Sequence, residues 1–166
     1  MKILRFVLLA SLLASAGGAM AQQAATPAPA QAAPQQQTLT AEQQAQFARQ
    51  DAEMSRAAAQ VIQLADQGNA AEIWDGASPV AKAVVTRQDF VAQISADRKQ
   101  LGAPTERKQV AVTRAVYAAG GAVPAGSYIN VVFATRFGNA AEPVRELVSF
   151  HLDDDKTWRV SGYSVR

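Results

Sequence analysis

The sequence contains no cysteine and only one histidine. The absence of cysteine excludes disulfides, thiolate nucleophiles, iron–sulfur clusters, cysteine-ligated zinc and a lipid-modified cysteine anchor. A single histidine excludes metal sites built from several imidazoles. We therefore expect no metal and no cofactor, and a domain that its own core must stabilise.

A strong net charge is also missing. The 16 basic residues face 14 acidic ones, for a formal charge of +2. Lys2 and Arg5 lie in a segment that we predict to be removed, which leaves a chain near neutrality. Neutrality argues against a nucleic-acid partner. The phosphate-binding glycine loops, the G-x-S-x-G elbow and the H-E-x-x-H motif do not occur either, which excludes the commonest nucleotide, hydrolase and zinc-protease sites.

The first 21 residues have the three parts of a secretory signal peptide. Lys2 and Arg5 form the basic start, residues 6–13 the apolar run, and Ala19-Met20-Ala21 the small-residue end. The run is shorter than the roughly 20 residues that span a bilayer, and no later segment is longer or more apolar. We predict cleavage after Ala21, a periplasmic or secreted location, and no membrane span in the mature chain.

Residues 22–38 read QQAATPAPAQAAPQQQT, without a charged or large apolar side chain. Such a segment cannot bury enough apolar surface to offset the entropy lost on ordering. We predict a disordered linker at 22–38 and a single domain at 39–166. The alternative, a proline-rich ligand for another module, is disfavoured because no aromatic or basic residue flanks the prolines.

Helix signals fill the first half of the predicted domain. The predicted N-caps are Thr40, Asn69, Ser78 and Thr86. Phe47, Met54 and Val61 recur every seven residues, which indicates one apolar stripe along the first helix. Pro79 suits a first helical turn, and Gly102 suits the end of the fourth helix.

After Pro104 the apolar pattern changes to a period of two. We predict a strand of about ten residues that carries Val110, Val112 and Val116 on one side. Three further strands are predicted at Ser127–Phe137, Val144–Leu152 and Trp158–Val165, with a bulge at Gly162. Helices followed by an antiparallel meander predict an α+β fold, in which the helices pack on one face of a curved four-stranded sheet.

Several short motifs follow one another along residues 66–163. They are Asp66-x-Gly68, Trp74-x-x-x-Ser78-Pro79, Thr86-Arg87-x-x-Phe90, Leu101-Gly102 and Trp158-Arg159-Val160-x-Gly162-Tyr163. The pattern covers most of residues 50–166 and resembles DUF4019, a bacterial family of exported domains. The resemblance implies a cystatin-like or NTF2-like cone of helices and bent sheet. The family has no agreed catalytic or binding residues, so none is transferred.

Five residues are candidate pocket or motif positions: Trp74, Asp75, Tyr128, Trp158 and Tyr163. We interpret the two tryptophans as core anchors whose indole N–H meets a carbonyl. Asp75 suits a hydrogen bond at a helix end. The two tyrosines are hydroxyl donors, which the resemblance places near pockets in related cone folds. No catalytic, cofactor-binding or metal-binding residue is assigned.

His151 is the default acid–base candidate, because its ordinary pKa lies near neutrality. Alternation along the strand puts it opposite Phe150 and Leu152, so we expect it to face solvent. The run Asp153 to Asp155 lacks the ligand spacing of a calcium loop, and we interpret it as an exposed turn.

Four arginines lie on the predicted strands or at their ends: Arg136, Arg145, Arg159 and Arg166. They either converge to bind an anion or stay isolated at the surface with partners such as Glu142 and Glu146. We prefer the second interpretation.

Three functions stay open on this basis. The favoured one is a non-catalytic exported module that binds a small apolar or amphiphilic ligand, or a protein partner, between sheet and helices. The second is a pocket enzyme, an isomerase or hydrolase with a buried aspartate or His151 as base. The third is an envelope interaction protein that docks through a sheet edge or the first helix.

Overall fold

A computed structural model describes residues 39–166, which form one compact unit. The predicted signal peptide at 1–21 and the predicted linker at 22–38 lie outside the described residues. The elements are α1 (Ala41–Asp66), α2 (Ala70–Asp75), α3 (Pro79–Val84), α4 (Arg87–Leu101), β1 (Pro104–Tyr117), β2 (Gly126–Phe137), β3 (Val144–Leu152) and β4 (Trp158–Val165). Four helices followed by a curved four-stranded sheet confirm the predicted α+β class.

Helix starts follow the predicted caps. The Thr40 hydroxyl accepts a hydrogen bond from the Gln43 N–H at 3.2 Å, and the Gln43 side-chain oxygen accepts one from the Thr40 N–H. Ser78 and Thr86 cap α3 and α4 in the same manner. Asn69 occupies the N-cap position of α2 without a side-chain bond. Local side-chain chemistry therefore sets three of the four helix starts. Within residues 39–166, none of the helices is both long and apolar enough to cross a membrane.

The sheet is an antiparallel meander in the order β1-β2-β3-β4. Its centre aligns Val131 of β2 with Val112 of β1 on one side and with Val148 of β3 on the other. Every strand therefore pairs with its neighbour in sequence, as short turns require.

Two irregularities break the alternation of side chains. The β1–β2 register shifts between Gln109 and Ala111, and Val110 lies 55% exposed. The prediction that Val110, Val112 and Val116 lie on one side of the strand is therefore wrong for Val110, because the bulge turns it outward. The second shift leaves Ser161 as an extra residue in β4, beside the glycine for which a bulge was predicted.

The core lies between one face of the sheet and the helices. Its members are Met54, Ala58, Val61, Ile62 and Ala65 of α1, Ala70 and Ile73 of α2, Ile94 of α4, and Ile129, Val131, Phe133, Val148, Phe150 and Val160 of the sheet. Side chains from both layers fill the centre of this space. Phe47 departs from the predicted stripe: it is 37% exposed, with the Arg114 guanidinium 4.7 Å from its ring centroid.

A cluster of charged and polar side chains, the buried charge cluster, closes one end of this core. It contains Asp66, Arg98, Arg107, Thr135, Glu146 and Tyr163. The Glu146 side chain is fully buried and accepts bonds from Arg107 Nε and Tyr163 Oη at 2.6 Å each. Asp66 accepts further bonds from both arginines. Each member comes from a different helix or strand, so the cluster joins six elements.

Within this cluster the charges balance, with two carboxylates facing two guanidinium groups. Thr135 Oγ1 donates to Glu146 at 2.7 Å and completes its set of donors. Burial raises the pKa of the Tyr163 hydroxyl, and the charge of Glu146 raises it further, so the phenol stays protonated and donates. The interpretation of Glu146 as a surface partner of an arginine is wrong, because it is a buried acceptor.

We predict that Glu146→Gln lowers the free energy of unfolding by about 3–5 kcal/mol, because it leaves buried guanidinium charge without its carboxylate. Urea unfolding of the purified chain measures this change. The control is Glu142→Gln, which removes an exposed carboxylate four residues earlier and should change stability by about 0.5 kcal/mol or less. Equal midpoints for Glu146→Gln and the unaltered chain would contradict the role given to the cluster.

Candidate functional site

Two depressions adjoin α3 on the sheet face that α1 and α4 leave uncovered. The first, the acidic cleft, has a volume of about 650 Å³ and reaches His151 and Asp153. The second, the outer groove, has a volume of about 430 Å³ and runs over Asn130, Leu147 and Ser149. Both are of the size that small ligands occupy in proteins.

Three polar residues lie together at the base of the acidic cleft. Ser78, His151 and Asp153 are 0%, 6% and 7% exposed. Ser78 Oγ donates to Asp153 Oδ1 at 2.5 Å, and His151 Nδ1 lies 2.7 Å from the same oxygen. The expectation that His151 faces solvent is wrong, and of the predicted exposed acidic turn only Asp154 and Asp155 are exposed.

The position of α3 explains this burial. Ser78 is its N-cap, and the Ser78 backbone N–H donates to the Val160 carbonyl of β4 at 2.8 Å. This bond holds the start of α3 over the end of β3, where the Ser78 hydroxyl meets His151. On the other side the Tyr128 ring packs on the imidazole, with centroids 4.9 Å apart. Alternation along β3 correctly predicted that His151 points away from the core face that holds Phe150. It did not predict that the start of α3 covers His151 on the opposite face.

This trio does not have the geometry of a nucleophilic triad. In such a triad the serine and the acid bond to opposite imidazole nitrogens. Here both lie at Nδ1: Ser78 Oγ is 3.5 Å from Nδ1 and donates its hydrogen bond to Asp153 Oδ1 instead. Burial raises the pKa of Asp153, but hydrogen bonds from Ser78, His151 and Arg159 outweigh it and leave the pKa below its ordinary value.

The other imidazole nitrogen, His151 Nε2, is buried without a hydrogen-bond partner among residues 39–166. It lies against Gly126, the first residue of β2, where φ is +142°. A Cβ at position 126 would overlap Nε2, so glycine is required both for its backbone angle and for space.

The remaining charges of the acidic cleft are largely paired. Arg159 bonds to Asp153 at 2.8 Å and to both oxygens of Asp155, which lowers the pKa of Asp155. Asp75 binds Arg87 through two bonds of 2.8 and 3.0 Å, and this pairing lowers the pKa of Asp75. In the described part of the chain, no group of three or more histidine or acidic side chains is arranged to hold a metal ion.

The outer groove has apolar walls and a polar floor. One wall is α3, with Val80, Ala81 and Val84, and the other is the β1–β2 hairpin, with Tyr117, Val123 and Pro124. The floor and ends are formed by Tyr128, Asn130, Leu147, Ser149, Ser161, Gly162 and Arg166. Val84, Tyr117 and Val123 are 71%, 41% and 36% exposed, so the rim presents apolar surface to solvent.

Hydrogen bonds in the groove leave donors unused. Ser149 Oγ donates to Asn130 Oδ1 at 2.7 Å, and no side chain or backbone group among residues 39–166 bonds to Asn130 Nδ2. Ser161 Oγ is buried and also lacks a partner in this part of the chain. At the hairpin end the Tyr128 hydroxyl donates to the Pro124 carbonyl at 2.9 Å. The floor therefore offers an amide donor to a bound molecule.

The five candidate residues do not meet at one site. The Trp74 indole donates to the Val85 carbonyl at 3.3 Å, and Trp158 packs, partly buried, against the core. Asp75 lines the acidic cleft, and Tyr128 lines the outer groove. Tyr163 belongs to the buried charge cluster. The five candidates therefore include one residue of the acidic cleft and one of the outer groove, and none from the α3 or hairpin walls of that groove.

The four arginines do not form one stripe. Arg159 lies in the acidic cleft, and Arg136 is 3.5 Å from Glu106. Arg145 and Arg166 are neighbours, because two backbone hydrogen bonds of 2.9 and 3.1 Å join them. Only Arg166 of this pair lines the outer groove.

We predict that Asp153→Asn flattens the loss of stability in acid. A carboxyl whose pKa is lowered by folding stabilises the fold above its unfolded pKa of about 3.9, and this contribution is lost as pH falls through the folded value. The variant should lose about 1–3 kcal/mol at pH 7 and show a weaker pH dependence below about pH 4. Urea unfolding across this pH range measures both.

The matched control is Asp154→Asn, whose carboxylate is exposed and adjacent in sequence. It should retain the stability of the unaltered chain and its acid dependence. The interpretation of the trio would be contradicted if the two variants showed the same pH profile.

A family model described as "Protein of unknown function (DUF4019)" matches residues 57–163, which is more than half of the chain. The match begins within α1 and ends within β4. A search of curated proteins found no match. The resemblance inferred from the motifs is thereby confirmed.

Proposed function

The chain belongs to the DUF4019 family, and from this premise we propose that it is an exported, non-catalytic protein that binds a small amphiphilic ligand in its outer groove. The observation that carries the proposal is the contrast within the groove. Exposed apolar side chains such as Val84 and Val123 flank a polar floor that has an unused donor at Asn130. A molecule with an apolar and a polar part matches both surfaces.

A binding role is favoured over catalysis by the state of the acidic cleft. The Ser78 hydroxyl donates its hydrogen bond to the Asp153 carboxylate rather than to an imidazole nitrogen, so it lacks the imidazole base of a nucleophilic serine. The unpartnered nitrogen of His151 faces Gly126 and has almost no exposed area. Isomerase and hydrolase chemistry would require this backbone to move before a substrate could reach the imidazole.

Two observations favour a small ligand in the outer groove over a docked protein partner. Its apolar side chains surround a concave volume of about 430 Å³ rather than a flat patch. Of the two edges of the sheet, the β4 edge is partly occupied, because the Ser78 N–H donates to the Val160 carbonyl. These two observations support a small ligand ahead of an envelope protein.

The export part of the proposal is based on the sequence of residues 1–21 alone. Their basic start, short apolar run and small residues ending at Ala21 are typical of a secretory signal peptide. The absence of cysteine is compatible with an oxidising compartment, because the chain can form no disulfide there.

We predict that Val84→Asp weakens binding of a neutral amphiphile about tenfold, because a charge replaces an apolar contact at the rim. The measurement is fluorescence titration with phenylnaphthylamine, followed by displacement with decanol. Val110→Asp is the matched control: its parent residue is 55% exposed and lies on β1 outside the groove. Equal affinities for the two variants would refute the outer groove as the site.

Export has its own test. Expressed in a Gram-negative host, the full chain should appear in the periplasmic extract with an intact mass that corresponds to a start at Gln22. Ala21→Arg should block this processing, whereas Ala25→Arg, four residues further on, should be processed normally. An unprocessed chain in the cytoplasm would show that the export part of the proposal is wrong.

A further inference from the structure

His151 is the only histidine of the chain, and one of its ring nitrogens is committed to Asp153. Nδ1 lies 2.7 Å from Asp153 Oδ1. Although burial raises the pKa of Asp153, the hydrogen bonds that it accepts lower this pKa below its ordinary value. The carboxylate is therefore charged at neutral pH and can only accept. It follows that Nδ1 carries the proton of the neutral imidazole and that Nε2 has a lone pair.

The lone pair of Nε2 faces the backbone of Gly126 at the start of β2. A Cβ at position 126 would overlap Nε2, so the Gly126 hydrogen that takes its place points at this nitrogen. A lone pair accepts such a C–H group. A protonated Nε2 would instead place two hydrogens against each other, and its N–H would be buried without an acceptor among residues 39–166. The contact between His151 and Gly126 therefore fits the neutral imidazole only.

The polar and charged groups around the imidazole come from four segments packed against it. They are Asp153 and Asp155 of the turn after β3, Arg159 of β4, Tyr128 of β2 and Ser78, the N-cap of α3. Asp153 is held in place by bonds from Ser78 and Arg159, and its charge favours an imidazolium. The Nδ1 side therefore keeps its partner when the ring is protonated, and the change falls on the side of Gly126.

Gly126 is attached to the hairpin wall of the outer groove. It pairs with Tyr117 in the β1–β2 ladder and follows Pro124 by two residues, and both of these line the groove. The Tyr128 ring packs on the imidazole and lines the groove as well, and its hydroxyl donates to the Pro124 carbonyl at 2.9 Å. Separation of Gly126 from the imidazole therefore displaces the hairpin wall of the groove.

We infer that His151 is an acid-sensitive switch of the outer groove: protonation at Nε2 separates the imidazole from Gly126, and the displaced hairpin wall releases the bound ligand. Histidine ordinarily gains its charge between about pH 8 and pH 5, so the groove binds near neutrality and releases in mild acid. The release of a ligand rests on the proposed function, whereas the movement at Gly126 does not.

The first test is fluorescence titration with phenylnaphthylamine, an uncharged probe, at about pH 7.5 and about pH 5.5 on a chain without added histidines. The unaltered chain should bind the probe about tenfold more weakly at the lower pH. His151→Asn keeps an N–H for Asp153 but has no group at the position of Nε2, so its affinity should be equal at both pH values. Asp154→Asn, the matched control, removes an exposed carboxylate of the same turn and should retain the tenfold loss.

The second test needs neither a ligand nor a substitution. Nuclear magnetic resonance of the isotope-labelled chain follows the amide signals of Gly126 and Val123 together with the ring signals of His151 as the pH is lowered. The amide signals should shift with the same midpoint as the ring. Amide signals that stay constant while the ring titrates would show that the inference is wrong.

Failure of the switch and failure of the proposed function give different results. If the unaltered chain binds the probe equally at both pH values, or if His151→Asn keeps the acid loss, the switch is wrong while the groove remains the site. If the probe binds at neither pH, the proposed function and the release of a ligand are both wrong. Circular dichroism of each variant at both pH values checks that the fold is intact.

Discussion

The buried carboxylate of Glu146 is the constraint on which the arrangement of this domain depends. A buried carboxylate must accept hydrogen bonds from protein donors, because water does not reach it. The donors to Glu146 come from α4, β1, β2 and β4. Asp66 of α1 joins the cluster through its bond from Arg107. Geometry that satisfies Glu146 therefore fixes α1 and α4 on the same face of the sheet. The opposite face stays free of long helices, and both depressions lie there.

Ser78 performs a second positioning task through three hydrogen bonds. Its hydroxyl accepts from the Val80 N–H, which begins α3, and donates to Asp153 Oδ1, while its backbone N–H donates to the Val160 carbonyl at the edge of β4. These bonds place α3 beside the open face of the sheet. One flank of α3 then borders the acidic cleft, and its other flank becomes the apolar wall of the outer groove.

Local signals predicted the elements well, because caps and side-chain periodicity are local. The bounds Val144–Leu152 and Trp158–Val165 match β3 and β4. Burial on the open face could not be predicted in this way, since α3 reaches His151 from 73 residues away in sequence. Glu146 did carry a signal: it has the same parity as Val148 and Phe150 and so had to share their buried side. The groove walls join distant segments and left no local pattern.

The claim that the open sheet face is the binding surface is tested most directly by mapping amide chemical shifts while decanol is added to the isotope-labelled chain. We predict that the largest changes fall on Leu147, Ser149 and Gly162, and on residues 80–84 of α3. Changes confined to the acidic turn at residues 153–155, or to α1, would contradict the account.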